Sequence, residues 1–146
     1  MSEPSYWLDL FTLRTWQEFL DAGEQTSGFR ESRWGQLGQI APGDYLLCYL
    51  AGEKRWVGLL KVTRSRYHDA KPVWSEETFP ARLGVRVVAR LEPGRGIPVT
   101  QLRDRLSVFR DLKDPKRWSA LVRGAPRRWP REDGAIVAQA IRDAAQ

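Results

Sequence analysis

Along the first 90 residues, apolar side chains come in short runs broken by turn residues, a pattern that predicts strands. Tyr6-Trp7-Leu8-Asp9-Leu10-Phe11 is the first run, rich in aromatic and aliphatic side chains. Thr15-Trp16-Gln17-Glu18 has the form of a capping box, so a helix is expected from Thr15. Trp16, Phe19 and Leu20 would share its face and Gly23 would stop it. The polar stretch 24–30 reads as a loop, and a short helix over 32–39 puts Trp34, Leu37 and Ile40 on one side. Ala41-Pro42-Gly43-Asp44 is a turn into a strand over 45–50, and Ala51-Gly52-Glu53-Lys54 closes a hairpin onto a second strand over 56–63. A loop over 67–77 and a strand over 82–91 follow. Past Gly96 the pattern turns helical. A short helix is expected over 99–106, Asp114-Pro115 opens another, and Pro130 opens the last, with Ile136, Val137, Ala140 and Ile141 as its apolar stripe.

Centrally clustered strands, tight turns and flanking short helices make the class α+β, a small mixed barrel or curled sheet with helices around it. The long helices between strands that a doubly wound sheet needs are missing. At 146 residues the chain suits one domain. A hydrophobic fraction of 42% is too high for a disordered chain. One Cys excludes an intrachain disulfide, and one Cys with one His argues against a zinc site. Met1-Ser2-Glu3-Pro4 has no signal-peptide pattern, and the longest apolar run, 45–51, is far short of a membrane span. The expected address is the cytoplasm, with no membrane partner.

The sequence offers little for catalysis. It has no P-loop, no dinucleotide-binding glycine motif and no G-x-S-x-G elbow. Asp44, Glu53 and Glu76 match no metal-binding spacing, and no cofactor is expected. Cys48, within an apolar strand, reads as a buried, inert thiol. His68 stands beside Asp69 in an expected loop, where an ordinary surface histidine is the default. A small nucleic-acid-processing enzyme with a carboxylate and histidine site there is the alternative function. A protein-interaction adaptor is a third reading.

Charge adds more by its placement than by its total of +6. Ten Lys and Arg residues stand between Arg103 and Arg131, against Asp104, Asp111 and Asp114. Phe109, Trp118 and Trp129 are interleaved with them. Arginines that neutralise phosphates beside aromatic stacking faces are what a nucleic-acid surface needs. A solvated basic face over core tryptophans fits the same residues. Of the seven tryptophans, Trp7, Trp16 and Trp56 sit in periodic segments and are expected in the core. Trp74 lies in an expected loop, as does Phe29. Each is a candidate wall of a base pocket or, equally, a loop-anchoring hydrophobe.

Several segments in order carry a family resemblance. Tyr6-Trp7-Leu8, Ile40-Ala41-Pro42-Gly43-Asp44 leading into Tyr45-Leu46-Leu47-Cys48-Tyr49, and Trp56-Val57-Gly58-Leu59-Leu60-Lys61-Val62 resemble an EVE domain. Thr78-Phe79-Pro80 with the strand from Arg82, Lys116-Arg117-Trp118-Ser119, Gly124, and Pro130-Arg131-Glu132-Asp133 continue it. The resemblance runs over about 5–143, a single domain behind a short tail, 1–4. It implies a PUA-like mixed β-barrel flanked by short α-helices, related to the YTH domains that read methylated adenine in RNA. It also implies a non-catalytic module that takes a flipped modified base, most simply 5-methylcytosine, from DNA or, second, RNA, with a separate effector protein as a further partner. By analogy with the YTH cage, Phe29 and Trp74 would sandwich the base, Phe29 standing where that pattern has tryptophan. Glu31 and Ser32 would sit at the mouth and Trp118 would add an aromatic surface. Arg117, Arg123, Arg127 and Arg128 are assigned to phosphates.

Overall fold

The computed structural model describes residues 3–146, so Met1 and Ser2 of the expected tail lie outside the described residues. Seven strands form one curled sheet: β1 (Tyr6–Phe11), β2 (Thr26–Phe29), β3 (Tyr45–Leu50), β4 (Arg55–His68), β5 (Ala81–Arg90), β6 (Ile97–Pro98) and β7 (Arg127–Trp129). The main path runs β2-β5-β4-β3-β1-β7, with β6 on β4. β1 and β3 pair in parallel, the remaining pairs antiparallel. Register shifts on both sides of β4 mark bulges. Bulges raise local twist and bend a strand, which suits a sheet that curls.

Around the sheet lie α1 (Leu13–Asp21), a 3-10 turn (Glu31–Arg33) running into α2 (Trp34–Leu37), α3 (Val99–Arg103), α4 (Ser107–Arg110), a 3-10 helix (Pro115–Val122) and α5 (Arg131–Ala144). Alternation along the central strands fills two cores, because both faces are covered. Tyr6, Leu8, Leu47 and Tyr49 pack with Val137, Ala138 and Ile141 of α5. Trp7, Leu46 and Cys48 point the other way, to Trp16 and Phe19 of α1 and Leu37 of α2. Trp7, Trp16 and Trp56 are all buried, and Cys48 is fully buried, with burial pushing its thiol pKa up. Among the described residues no helix is long and apolar enough to cross a membrane.

Three expectations need correcting. The α1 cap is Thr12, with Thr15 three residues later as its reciprocal partner, so the helix begins before Thr15. The stretch read as a loop over 24–30 contains β2, and the one over 67–77 loses its first two residues to β4. Both gains come from pairing with β5, which supplies a backbone ladder that local sequence does not reveal. No element was expected at Arg127 and Arg128, which stand on an edge strand, β7, against β1. Of the two readings of the basic segment, burial of Phe109 and Trp129 fits the one with core aromatics, leaving Trp118 half-buried.

Candidate functional site

The site begins where β7 leaves β1. β7 pairs only with Tyr6, Leu8 and Trp7 between them, so the second half of β1 continues past it. That half faces β2, with which it shares no ladder. A side-chain contact joins them instead: the Ser27 hydroxyl donates to Oδ2 of Asp9 at 2.5 Å. Asp9 is 2% exposed. Burial raises its carboxyl pKa to about 7, although the Ser27 hydroxyl and the Leu10 backbone favour the charged form.

One residue further along each strand, Leu10 and Gly28 line a cavity of about 310 Å³. Its other walls are Phe29, Arg30, Arg33, Phe79, Gly124 and Ala125. Strand alternation explains the geometry of β2. Ser27 and Phe29 point into the core side, while Gly28 faces the opposite way. A Cβ on Gly28 would collide with the Trp74 indole and with Cβ of Phe79, so only glycine lets both rings lie against β2. Trp74 is 6% exposed and meets Phe79 edge-on, 5.7 Å between centroids at 83°. Its Nε1 donates to the Thr15 carbonyl at 3.2 Å. Phe79 holds a left-handed backbone, φ 47°.

The loop carrying both rings is fastened from beneath by Arg82, 1% exposed. Its guanidinium donates to the carbonyls of Lys71, Thr78 (3.1 Å) and Phe79 (3.1 Å). It also lies 3.6 Å from the Asp69 carboxylate and 5.4 Å from the centre of the Trp74 ring. At the rim Arg30 forks onto Glu77, 2.8 Å at the shortest, which raises the guanidinium pKa and lowers that of the carboxyl. Arg33 donates to Gln36.

The residues singled out in the sequence divide among several places. Phe29 lines the cavity, whereas Trp74 is absent from its lining and reaches it through Phe79. Ser32 is exposed on the 3-10 turn, and Glu31 there holds Nε2 of His68, 2.9 Å from both carboxylate oxygens. Asp69 is engaged elsewhere, by the Lys71 amide and Arg82. Arg123 is exposed and immediately precedes the Gly124-Ala125 wall. Trp118 lines a different cavity, of about 290 Å³, with Arg103, Asp104, Phe109 and Arg110, and exposed Arg117 is its chain neighbour. Arg127 donates to the Ala120 carbonyl, and Arg128 to the Ser5 hydroxyl. Among the described residues no cluster of His, Cys, Asp and Glu could hold a metal ion.

Sequence reasoning missed Phe79, Arg82 and Asp9. The signal for Asp9 was visible, a lone carboxylate inside an apolar run. For Phe79 and Arg82 it was not, since nothing in a one-dimensional text says that a strand's first arginine turns back under its preceding loop.

The same architecture recurs in solved structures. The Mmi1 YTH domain bound to RNA superposes with a TM-score of 0.70 at 10% identity, over 97% of this chain and 83% of that one. The fold is YTH-like. Pho92, a YTH domain solved in complex with m6A, gives 0.67 at 12% identity, covering 97% and 85%. A protein from Agrobacterium tumefaciens gives 0.59 at 14%, covering 93% and 92%. No sequence-family model and no curated protein sequence matches the chain. At these identities the likeness concerns the fold alone, α+β with a curled sheet and short helices, and it agrees with the class expected from sequence.

Proposed function

We propose that this YTH-like domain is a non-catalytic reader that takes one modified nucleobase of a nucleic acid into the Phe29–Phe79 cavity. The observation that carries the reading is the cavity itself: two aromatic side chains and two arginines around an opening in the sheet. At about 310 Å³ it is at the small end of ligand sites, a size for one base rather than a dinucleotide. Base-on-aromatic stacking contributes about 1–3 kcal/mol. A buried methyl adds about 0.8 kcal/mol, so firm discrimination needs a polar group that the wrong base leaves unpaired. Arg30 and Arg33 line the cavity and are assigned to phosphates, with Arg123 one residue before the Gly124-Ala125 wall and Arg127 and Arg128 further out on β7. Trp74 supports the Phe79 wall. Trp118 and Arg117 would act only where a strand extends to their separate cavity.

The EVE resemblance points to 5-methylcytosine in DNA, while the YTH neighbours were solved with RNA and with m6A. The decisive experiment is therefore a binding panel by fluorescence anisotropy. Pentanucleotides of DNA and RNA carry 5-methylcytosine, N6-methyladenine or the unmodified base at the centre. A preference for one modified centre is expected, and Phe79→Ala should weaken that complex by about 5- to 150-fold, the loss of one stacking face. Equal affinity for every centre, unchanged in Phe79→Ala, would refute the proposal.

A further inference from the structure

Beside the cavity stands a second aromatic construction that the base pocket does not use. Trp34, half-buried on α2, carries the His68 ring 3.8 Å away at 13°, face to face. The Arg66 guanidinium lies 4.3 Å from the same tryptophan and donates to its carbonyl at 2.8 Å. Gly38 makes room for it, since a Cβ there would sit 3.0 Å from the guanidinium carbon. Glu31 grips the Nε2 edge of His68. The histidine is thus held on one face and one edge while its side chain stays 52% exposed, which leaves the outer face of the ring open.

Its position relative to the cavity is fixed by register. Phe29 pairs with Ala81, and Ala81 pairs with His68. Directly paired residues share a face of the sheet, so His68 rises on the same side as Phe29. Two strand spacings separate the two backbones, about 10 Å. The link along the chain is as short: Arg30 and Arg33 line the cavity, and Glu31 and Trp34 belong to the same turn.

We propose that the open face of His68 is a stacking platform for a base flanking the one in the cavity, within a single-stranded stretch. The proposal deepens the reader assignment above and rests on it for the identity of the ligand. An aromatic ring pinned in advance loses little freedom on binding, and stacking on it is tolerant of sequence because every base has a π-face. Arg66 and, beyond it, Arg64 stacked 3.8 Å from the Tyr67 ring supply positive charge along the same strand. Glu31 is the opposing charge, and it is spent on orienting the histidine.

The test compares a pentanucleotide bearing the modified base preferred in the panel at its centre with the same pentamer whose flanking positions are abasic. Wild-type protein should bind the abasic-flanked strand at least about fivefold more weakly. His68→Ala should bind both strands alike, at the weaker level, and His68→Phe should restore the difference; circular dichroism checks that both variants fold. A His68→Ala variant that keeps the full preference for intact flanks overturns the platform. Loss of discrimination between modified and unmodified centres, with the flank effect intact, overturns the base-reading proposal and leaves the platform standing. No binding of any pentamer overturns both.

Discussion

The buried Asp9 gives the sharpest thermodynamic expectation. Unfolded, its carboxyl titrates near the ordinary 3.8; folded, burial raises that to about 7. Between these values the native state holds a proton that the unfolded chain releases, so stability falls as pH rises through the window. It is fully present below about pH 4 and levels off above about pH 7. At 1.36 kcal/mol per pH unit the loss amounts to about 4 kcal/mol. Asp9→Asn keeps an oxygen that can accept from Ser27 and cannot ionise, so it should lack this slope. Urea unfolding followed by tryptophan fluorescence, from pH 4.5 to 8.5, measures both proteins. The variant should gain on the wild type as pH rises and be the more stable above pH 7, with matching m-values to show that the unfolded states are comparable. Parallel stability curves across the window would refute the reasoning and place Asp9 in a wetter setting than its 2% exposure describes.

Two further substitutions test the construction of the cavity. Gly28→Ala forces a methyl into Trp74 and Phe79 and should destabilise by about 1–3 kcal/mol, seen as a lower urea midpoint, while weakening the modified pentanucleotide roughly tenfold or more. Arg82→Met strands the carbonyls of Lys71, Thr78 and Phe79 and should cost roughly 3 kcal/mol; hydrogen exchange should show faster exchange across 69–79 before any change in the central strands.

The central strands were readable because they are buried on both faces, so Tyr6–Phe11 and Tyr45–Leu50 stand out as near-continuous apolar runs. β2 was not, since Thr-Ser-Gly-Phe has weak strand character and is held by β5 and by the Asp9–Ser27 contact. The end of β4 was hidden for the same reason: Arg-Ser-Arg-Tyr-His has no apolar residue but Tyr67 and is extended because it pairs with β5. At the site, Phe29 and the neighbourhood of Trp74 were legible as aromatics without a periodic role. Which ring reaches the opening was not, because that depends on Gly28 and on the buried Arg82 beneath the loop. The charge run from Arg103 looked like one surface, yet folding sends Trp118 to its own cavity and Trp129 into the core.

Closing β1 against β2 with side chains instead of a backbone ladder has an evolutionary consequence. A ladder fixes the distance between two strands near 4.8 Å, whatever residues they carry. Here the width of the opening is set by Leu10, Phe29, Phe79 and the Ala125 turn, none of which must keep a strand-to-strand amide bond across that gap. Substitutions at these positions can reshape the recess without breaking the sheet, so one scaffold can be retuned from one small planar ligand to another while its framework stays intact.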